Sequence, residues 1–288
     1  MSDVMQERAA SVPLAAAPRR IVYRTRGHKH GPVTRLMSPS DLGEVLKPFV
    51  FLDLFDAEPV AFSGFGMHPH SGIATLTLML QGETNYEDTT GRSGVLPERG
   101  VEWMQAGGGV WHTGGPAKDS RMRGFQLWVA LPPALENAPA YSTYLGPDEV
   151  PSAGPARVLL GRHGDVESPI AAPSPMNYLA VTLQDGERWR YQAPVGHGVA
   201  WLALSRGALR AGGESVSAGE LVVFERSQQV IELQARGAAE FVLGSAALHP
   251  HPLVLGNYSV HTSEEALRMG EAEIRRLGTE LRAQQRLR

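Results

Sequence analysis

The chain has 288 residues, with 27 Lys and Arg against 30 Asp and Glu, and it contains no cysteine. A formal net charge of −3 gives no electrostatic basis for nucleic acid or an anionic membrane as the main partner. The lack of thiols excludes disulfides, thiol catalysis and thiolate ligands, so any metal must be held by imidazole, carboxylate or amide oxygen.

Residues 1–18 are Ala-rich and aperiodic. They are expected to form a flexible lead-in, because the apolar stretch near Leu14 is too short for a signal core. From Arg20 the pattern turns to short strands. Ile21–Arg24 and Val50–Phe55 read as extended segments. Thr75-Leu-Thr-Leu-Met-Leu80 alternates hydroxyl and apolar residues, as a half-buried strand does. Gln81-Gly-Glu83 and Asp88-Thr-Thr-Gly-Arg-Ser-Gly94 are turns. Val101–Met104, Val110–His112 and Gly124–Leu131 complete a first β-rich half, closed by Pro132-Pro133. Its longest apolar run, Leu76–Leu80, is far below membrane-spanning length.

Residues 133–155, rich in Pro, Ala and acidic turn residues, are expected to be a linker. A second β-rich stretch of similar length follows, with strands near Val158, Met176–Leu183, Gly198–Leu204, Glu220–Glu225 and Glu240–Leu243. The expected architecture is all-β, with domains at 19–132 and 156–288, the second ending in a helix. That helix is predicted to begin at a capping box, Thr262-Ser-Glu-Glu265. Leu267, Ile274, Leu277 and Leu281 then share one face.

The chemistry concentrates in three histidines. His68 and His70 lie in Gly66-Met-His-Pro-His-Ser-Gly72, and His112 in Gly107-Gly-Gly-Val-Trp-His-Thr-Gly-Gly115. Side chains alternate faces along a strand, so His68 and His70 can point the same way, and a third imidazole converging on them makes a transition-metal site. Two other pairs with the same spacing fall in loops, His28/His30 in a polar one expected to be solvated and His249/His251 in a Pro-flanked one, and neither is expected to bind metal as a pair. His163 and His197 lack a second ligand at suitable spacing. Glu87/Asp88 and Asp148/Glu149 read as solvated turn residues. Trp103, Trp111 and Trp128 flank the histidine segments as core or pocket walls. No nucleophile elbow, P-loop or dinucleotide fingerprint is present.

Four segments carry a family resemblance: His68-Pro-His-Ser-Gly72, Tyr86-Glu-Asp-Thr-Thr-Gly-Arg-Ser-Gly94, Glu102-Trp-Met-Gln-Ala-Gly-Gly-Gly-Val-Trp-His112 and Gly124-Phe-Gln-Leu-Trp-Val129. Together they resemble the pirin family of the cupin superfamily, densely over Arg20 to Leu131 and again at Gly256-Asn-Tyr-Ser-Val260. The resemblance implies a bicupin, two tandem cupin-type β-barrels with a C-terminal helix, and a metal in the first barrel only. It implies His68, His70 and His112 in the three histidine positions of a three-histidine, one-glutamate iron site. The family's glutamate follows the last histidine by two residues, where this chain has Gly114. The general cupin carboxylate position is Ala74. Both are expected to face the histidine cavity, so the carboxylate is missing at the site itself.

The resemblance implies a mononuclear, non-haem dioxygenase similar to the quercetinase activity of bacterial pirins. It would act on flavonol-type or other chelating hydroxy-ketone substrates. Glu102 is the candidate catalytic base, and Glu102 and Gln126 are the polar groups expected nearest the metal. Iron(II) is the expected ion, with zinc, nickel, manganese and copper as alternatives. The alternative reading is a regulatory or protein-interaction bicupin with a structural or redox-sensing metal, or a metal-free degenerate cupin. The expected partner is a small molecule or a protein, not nucleic acid or membrane. A cytoplasmic monomer is the expected state.

Overall fold

The computed structural model describes residues 17–58, 64–118 and 121–287. The first half holds a seven-stranded antiparallel sheet in the order Tyr141–Leu145, Val101–Gln105, Ile73–Gln81, Met122–Ala130, Phe49–Ala57, Val33–Met37, His28–His30. Beside it lies a four-stranded sheet ordered Phe65–His70, Val110–Pro116, Thr84–Asp88, Ser93–Leu96. The second half is a nine-stranded sheet centred on the long strands Val199–Ala211 and Ile231–Ala246. Among the described residues no helix is long and apolar enough to cross a membrane.

The two-residue period of the Ile73–Gln81 strand decides what faces where. Ala74, Leu76 and Leu78 enter the main core, which also holds Trp103 and Leu127 of the first half and Tyr178, Trp201 and Val242 of the second. One apolar cluster thus joins the two halves, and Phe49 meets Trp201 edge-on at 5.4 Å. Thr77 and Met79, on the opposite face, line a cavity inside the first half. Ala74 therefore does not face the histidines, contrary to expectation. The parity that carries His68 and His70 does not run on to residue 74, because Gly72 turns the chain at φ 72° between the two strands.

Two segments cross the divisions suggested by chain order. Ile21–Thr25 pairs with Leu221–Phe224 in the second half's sheet. It is anchored by Arg19, whose buried guanidinium donates to the carbonyls of Glu225 and Gly198. Tyr141–Leu145 pairs with Val101–Gln105, so this stretch forms the edge of the first half's sheet.

The C-terminal helix, Glu264–Ala283, packs on the first half. Trp111 Nε1 donates to Ile274 O at 2.9 Å. The helix cap is Ser263, whose hydroxyl accepts from Ala266 N, one residue later than the predicted box. Thr262 is unavailable for capping. Its backbone N–H and its hydroxyl each donate to the buried Glu136 carboxylate at 2.6 Å.

Gly270 rests on a buried polar cluster in which Ser71 Oγ lies 2.9 Å from both Ser259 Oγ and His261 Nε2. In an open helix, Gly→Ala gains about 1 kcal/mol. Here the new Cβ would stand 2.5 Å from Ser71 Oγ and 2.6 Å from His261 Nε2, and overpacking a buried site costs about 1–3 kcal/mol. Gly270→Ala is expected to lower the urea midpoint with an unchanged m value. A gain in stability would show that the helix contact is slack.

Candidate metal centre

Strand register brings the three histidines together. Phe65–His70 pairs antiparallel with Val110–Pro116, placing His68 directly opposite His112, and His70 opposite Val110. His68 and His70 share a face by the two-residue period, and His112 joins them across the ladder. His112 Nε2 lies 2.9 Å from His68 Nε2 and 3.1 Å from His70 Nε2. Among the described residues, these three form the histidine and carboxylate group whose donor atoms could hold a metal ion.

Their outer nitrogens determine the tautomers. His68 Nδ1 donates to Gly66 O at 2.7 Å and His70 Nδ1 donates to Tyr258 O at 3.1 Å. Carbonyl oxygens only accept, so the proton of each neutral ring sits on Nδ1. Burial, with His112 alongside, lowers the His68 pKa to about 4. Burial and the same neighbour hold His70 well below the ordinary imidazole range. Two uncharged rings thus aim bare Nε2 lone pairs at a third nitrogen from about 3 Å. With a cation between the nitrogens, that arrangement is a ligand set.

Glu102 stands behind His112. Its Oε1 lies 3.6 Å from His112 Nδ1, and its Oε2 accepts from Thr77 Oγ1 at 2.6 Å. Burial pushes its pKa up, but the contact with His112 and the Thr77 hydrogen bond outweigh burial and hold the carboxyl below its usual range. Tyr144 Oη sits 3.3 Å from Glu102 Oε1 and donates to Asp88 Oδ2 at 2.8 Å. Its ring stacks on Tyr86 with centroids 3.6 Å apart. Asp88 is buried, not solvated as its turn-like sequence suggests. Its Oδ1 accepts from both the backbone and the hydroxyl of Thr90, and Tyr144 covers its other oxygen.

Gly114, two residues beyond His112, lines the same interior cavity as His68 and His112, as expected. Gln126 lines that cavity and also an outer cleft of about 410 Å³. The cleft is walled by His68, Arg35, Asp53, Phe51, Trp128 and Tyr258. Phe51 and Trp128 stack at 4.0 Å, and the Arg35 guanidinium lies 3.9 Å over the Phe51 ring while pairing with Asp53.

The remaining histidine pairs stay apart from this site. His28 and His30 are exposed, as expected. His249 is buried, and burial, aided by His251 and Lys47, lowers its pKa to about 4. Its backbone N–H donates to Lys47 O, which holds the Pro-flanked segment against the first half. Tyr258, which fixes His70, had no motif to reveal it. It contributes a backbone carbonyl from 188 residues downstream, and its φ of 60° is the left-handed conformation non-glycine residues seldom adopt.

His68 ordinarily titrates at 6.5, but in the folded protein at about 4. The folded, metal-free chain binds that proton less readily than the unfolded chain. The stability of the neutral ring is fully present above 6.5 and is lost as pH falls toward 4. Chelator-treated protein should lose Tm across this window, and His68→Asn should flatten part of the fall. Profiles of the same slope for both proteins would show that His68 is not held neutral by burial.

Comparisons with known proteins agree with this geometry. The Pirin family model matches residues 31–129. Two Pseudomonas aeruginosa proteins, each named a putative quercetin 2,3-dioxygenase, match along most of their length. One is 32% identical over 81% of this chain and 87% of the relative. The other is 34% identical over 77% of this chain and 83% of the relative. In fold, the crystal structure of a quercetin 2,3-dioxygenase from Acinetobacter baumannii superposes with a TM-score of 0.82 at 23% identity, covering 90% of this chain and 98% of that one. The all-β bicupin architecture, the three clustered histidines and these relatives together establish that the chain belongs to the pirin family of the cupin superfamily.

Proposed function

We propose that this protein is a metal-dependent dioxygenase acting on flavonol-type or other chelating hydroxy-ketone substrates. His68, His70 and His112 hold one divalent ion, iron(II) in the first instance, with zinc, nickel, manganese and copper as alternatives. The observation that carries this reading is the trio of Nε2 atoms 2.9 and 3.1 Å apart, beside an aromatic-walled cleft of about 410 Å³. The names of the two Pseudomonas relatives support it.

Bound there, a divalent metal supplies Lewis acidity and a common site for the two oxygens of a hydroxy-ketone and for dioxygen. The chain's own residues do the rest. Trp128 and Tyr258 offer the cleft apolar surface for a planar ring system, with Phe51 sandwiched behind between Trp128 and Arg35, and Asp53 and Gln126 offer polar contacts at its margins. Glu102 acts through His112. With Oε2 taken by Thr77 and Oε1 beside His112 Nδ1, it orients that ring and supplies negative charge next to a ligand set that is otherwise neutral. On this reading Glu102 is a positioning residue, whereas the sequence suggests a direct base.

Protein loaded anaerobically with iron(II) is expected to retain one metal per chain, and His70→Ala to lose it. Glu102→Gln, which keeps shape and removes charge, should weaken metal affinity about 10–100-fold. Given quercetin and related flavonols, the loaded protein should consume oxygen. Stoichiometric metal without turnover for any of the five metals would leave a metal protein but reject the dioxygenase.

A further inference from the structure

Behind the histidines lies a second cavity that adjoins the outer cleft at Phe65, His68 and Gln126, and the two differ tenfold in size. The cleft measures about 410 Å³ and the inner chamber about 40 Å³. His68 lines both, and His112 lines the chamber. By this measure one water needs about 10–15 Å³. The chamber therefore accepts a diatomic molecule and excludes any flavonol.

Its far wall is apolar, and Glu102, His68 and His112 close the side toward the metal centre. Phe55, Met79, Leu96 and Met122 form an apolar cluster distinct from the main core, with Phe65 and Tyr86 packed against it. The threonine hydroxyls in the wall are already committed within the chain. Thr77 donates to Glu102, Thr84 to Gly115 O at 3.0 Å, and Thr113 to Phe65 O at 2.7 Å. Asn85 Nδ2 donates to Pro116 O at 3.3 Å. Gln126 stands at the boundary, lining chamber and cleft alike. An apolar wall of this kind can take up apolar gases such as xenon.

The wall between chamber and solvent is thin at one place. A surface depression of about 320 Å³ is lined by Gly64, Gly66, Gly114 and Gly115, and it shares Phe65, Asn85, Tyr86, Thr113 and Gly114 with the chamber. Gly114 has an ordinary strand backbone, so conformation does not demand glycine there. A Cβ at this position would meet only Asn85 O at 3.4 Å and Thr84 Oγ1 at 3.5 Å, both ordinary contacts with chamber-lining residues. A side chain would fit, and it would stand in the shared wall.

We propose that the chamber is a dedicated binding site for a small apolar gas of the dioxygen class, admitted through the glycine-lined mouth at Gly64, Gly66, Gly114 and Gly115, while the organic substrate uses the outer cleft. The assignment of dioxygen rests on the dioxygenase reading; the apolar gas site itself does not. The two reactants then reach His68 from different sides, and neither has to displace the other.

Xenon tests the chamber without metal or turnover. In metal-free protein carrying 13C-methyl methionine, xenon pressure is expected to shift the Met79 and Met122 methyl resonances and leave exposed Met269 unmoved. Gly114→Leu should abolish those shifts. In the iron-loaded enzyme the same variant, at unchanged iron content per chain, should raise the KM for dioxygen roughly tenfold. Should Gly114→Leu fail to fold, Gly114→Ala is the replacement, with a smaller change in the same direction. Absence of xenon shifts at Met79 and Met122 in the wild type overturns the gas site. An unchanged KM for dioxygen in a folded Gly114 variant that has lost the shifts overturns its use as the oxygen entrance. A wild type without turnover removes the dioxygenase reading, and the xenon result still decides the chamber.

Discussion

Three imidazole nitrogens facing one another across about 3 Å are the constraint on which the site depends. That geometry is held from behind, by a different partner for each ring: the Gly66 carbonyl for His68, the Tyr258 carbonyl for His70 and the Glu102 carboxylate for His112. For His68 and His70 the contact places the proton on the far side of the ring and leaves the near nitrogen bare, and for His112 it sets a carboxylate on the far side. The rings are thus fixed by backbone and buried groups.

Those supports come from three separate parts of the chain, which ties the site to the whole fold. The Gly66 support is local. The Glu102 support arrives on the strand Val101–Gln105, next to Ile73–Gln81, where Thr77 holds it. The Tyr258 support arrives from the far end of the chain, beside Ser259 and His261, which meet Ser71 immediately after His70. The terminal helix seals this junction with Gly270 and grips Trp111, the neighbour of His112. Packing of a C-terminal element is thus coupled to the angle of two imidazoles, although no residue of the helix lies among the three site histidines.

Position 114 carries no carboxylate, and the Glu102 carboxylate stands one ring removed from the convergence point. Gly114 lies between the inner chamber on one side and a surface depression on the other. A single small residue therefore leaves the partition between them thin.

Periodicity and motif made much of this legible. The alternation in Thr75–Leu80, the one-residue spacing of His68 and His70, and the glycine run before His112 identified strands, fold class and the clustered histidines, because a strand's two-residue period translates directly into facing. That translation stops at every break in a strand. Gly72 turns the chain, so Ala74 went to the core and not to the site. Thr262 was claimed by Glu136, so the helix cap moved to Ser263. Asp88 and His249, polar and turn-like by sequence, are buried because partners distant along the chain cover them. The sequence by itself determined which residues could bind, their local spacing and the absence of a carboxylate at 114. Only the tertiary structure decided which nitrogen of each ring faces inward, what stands behind it and how the site is reached. Those depend on contacts between segments up to 188 residues apart, and no local pattern encodes them.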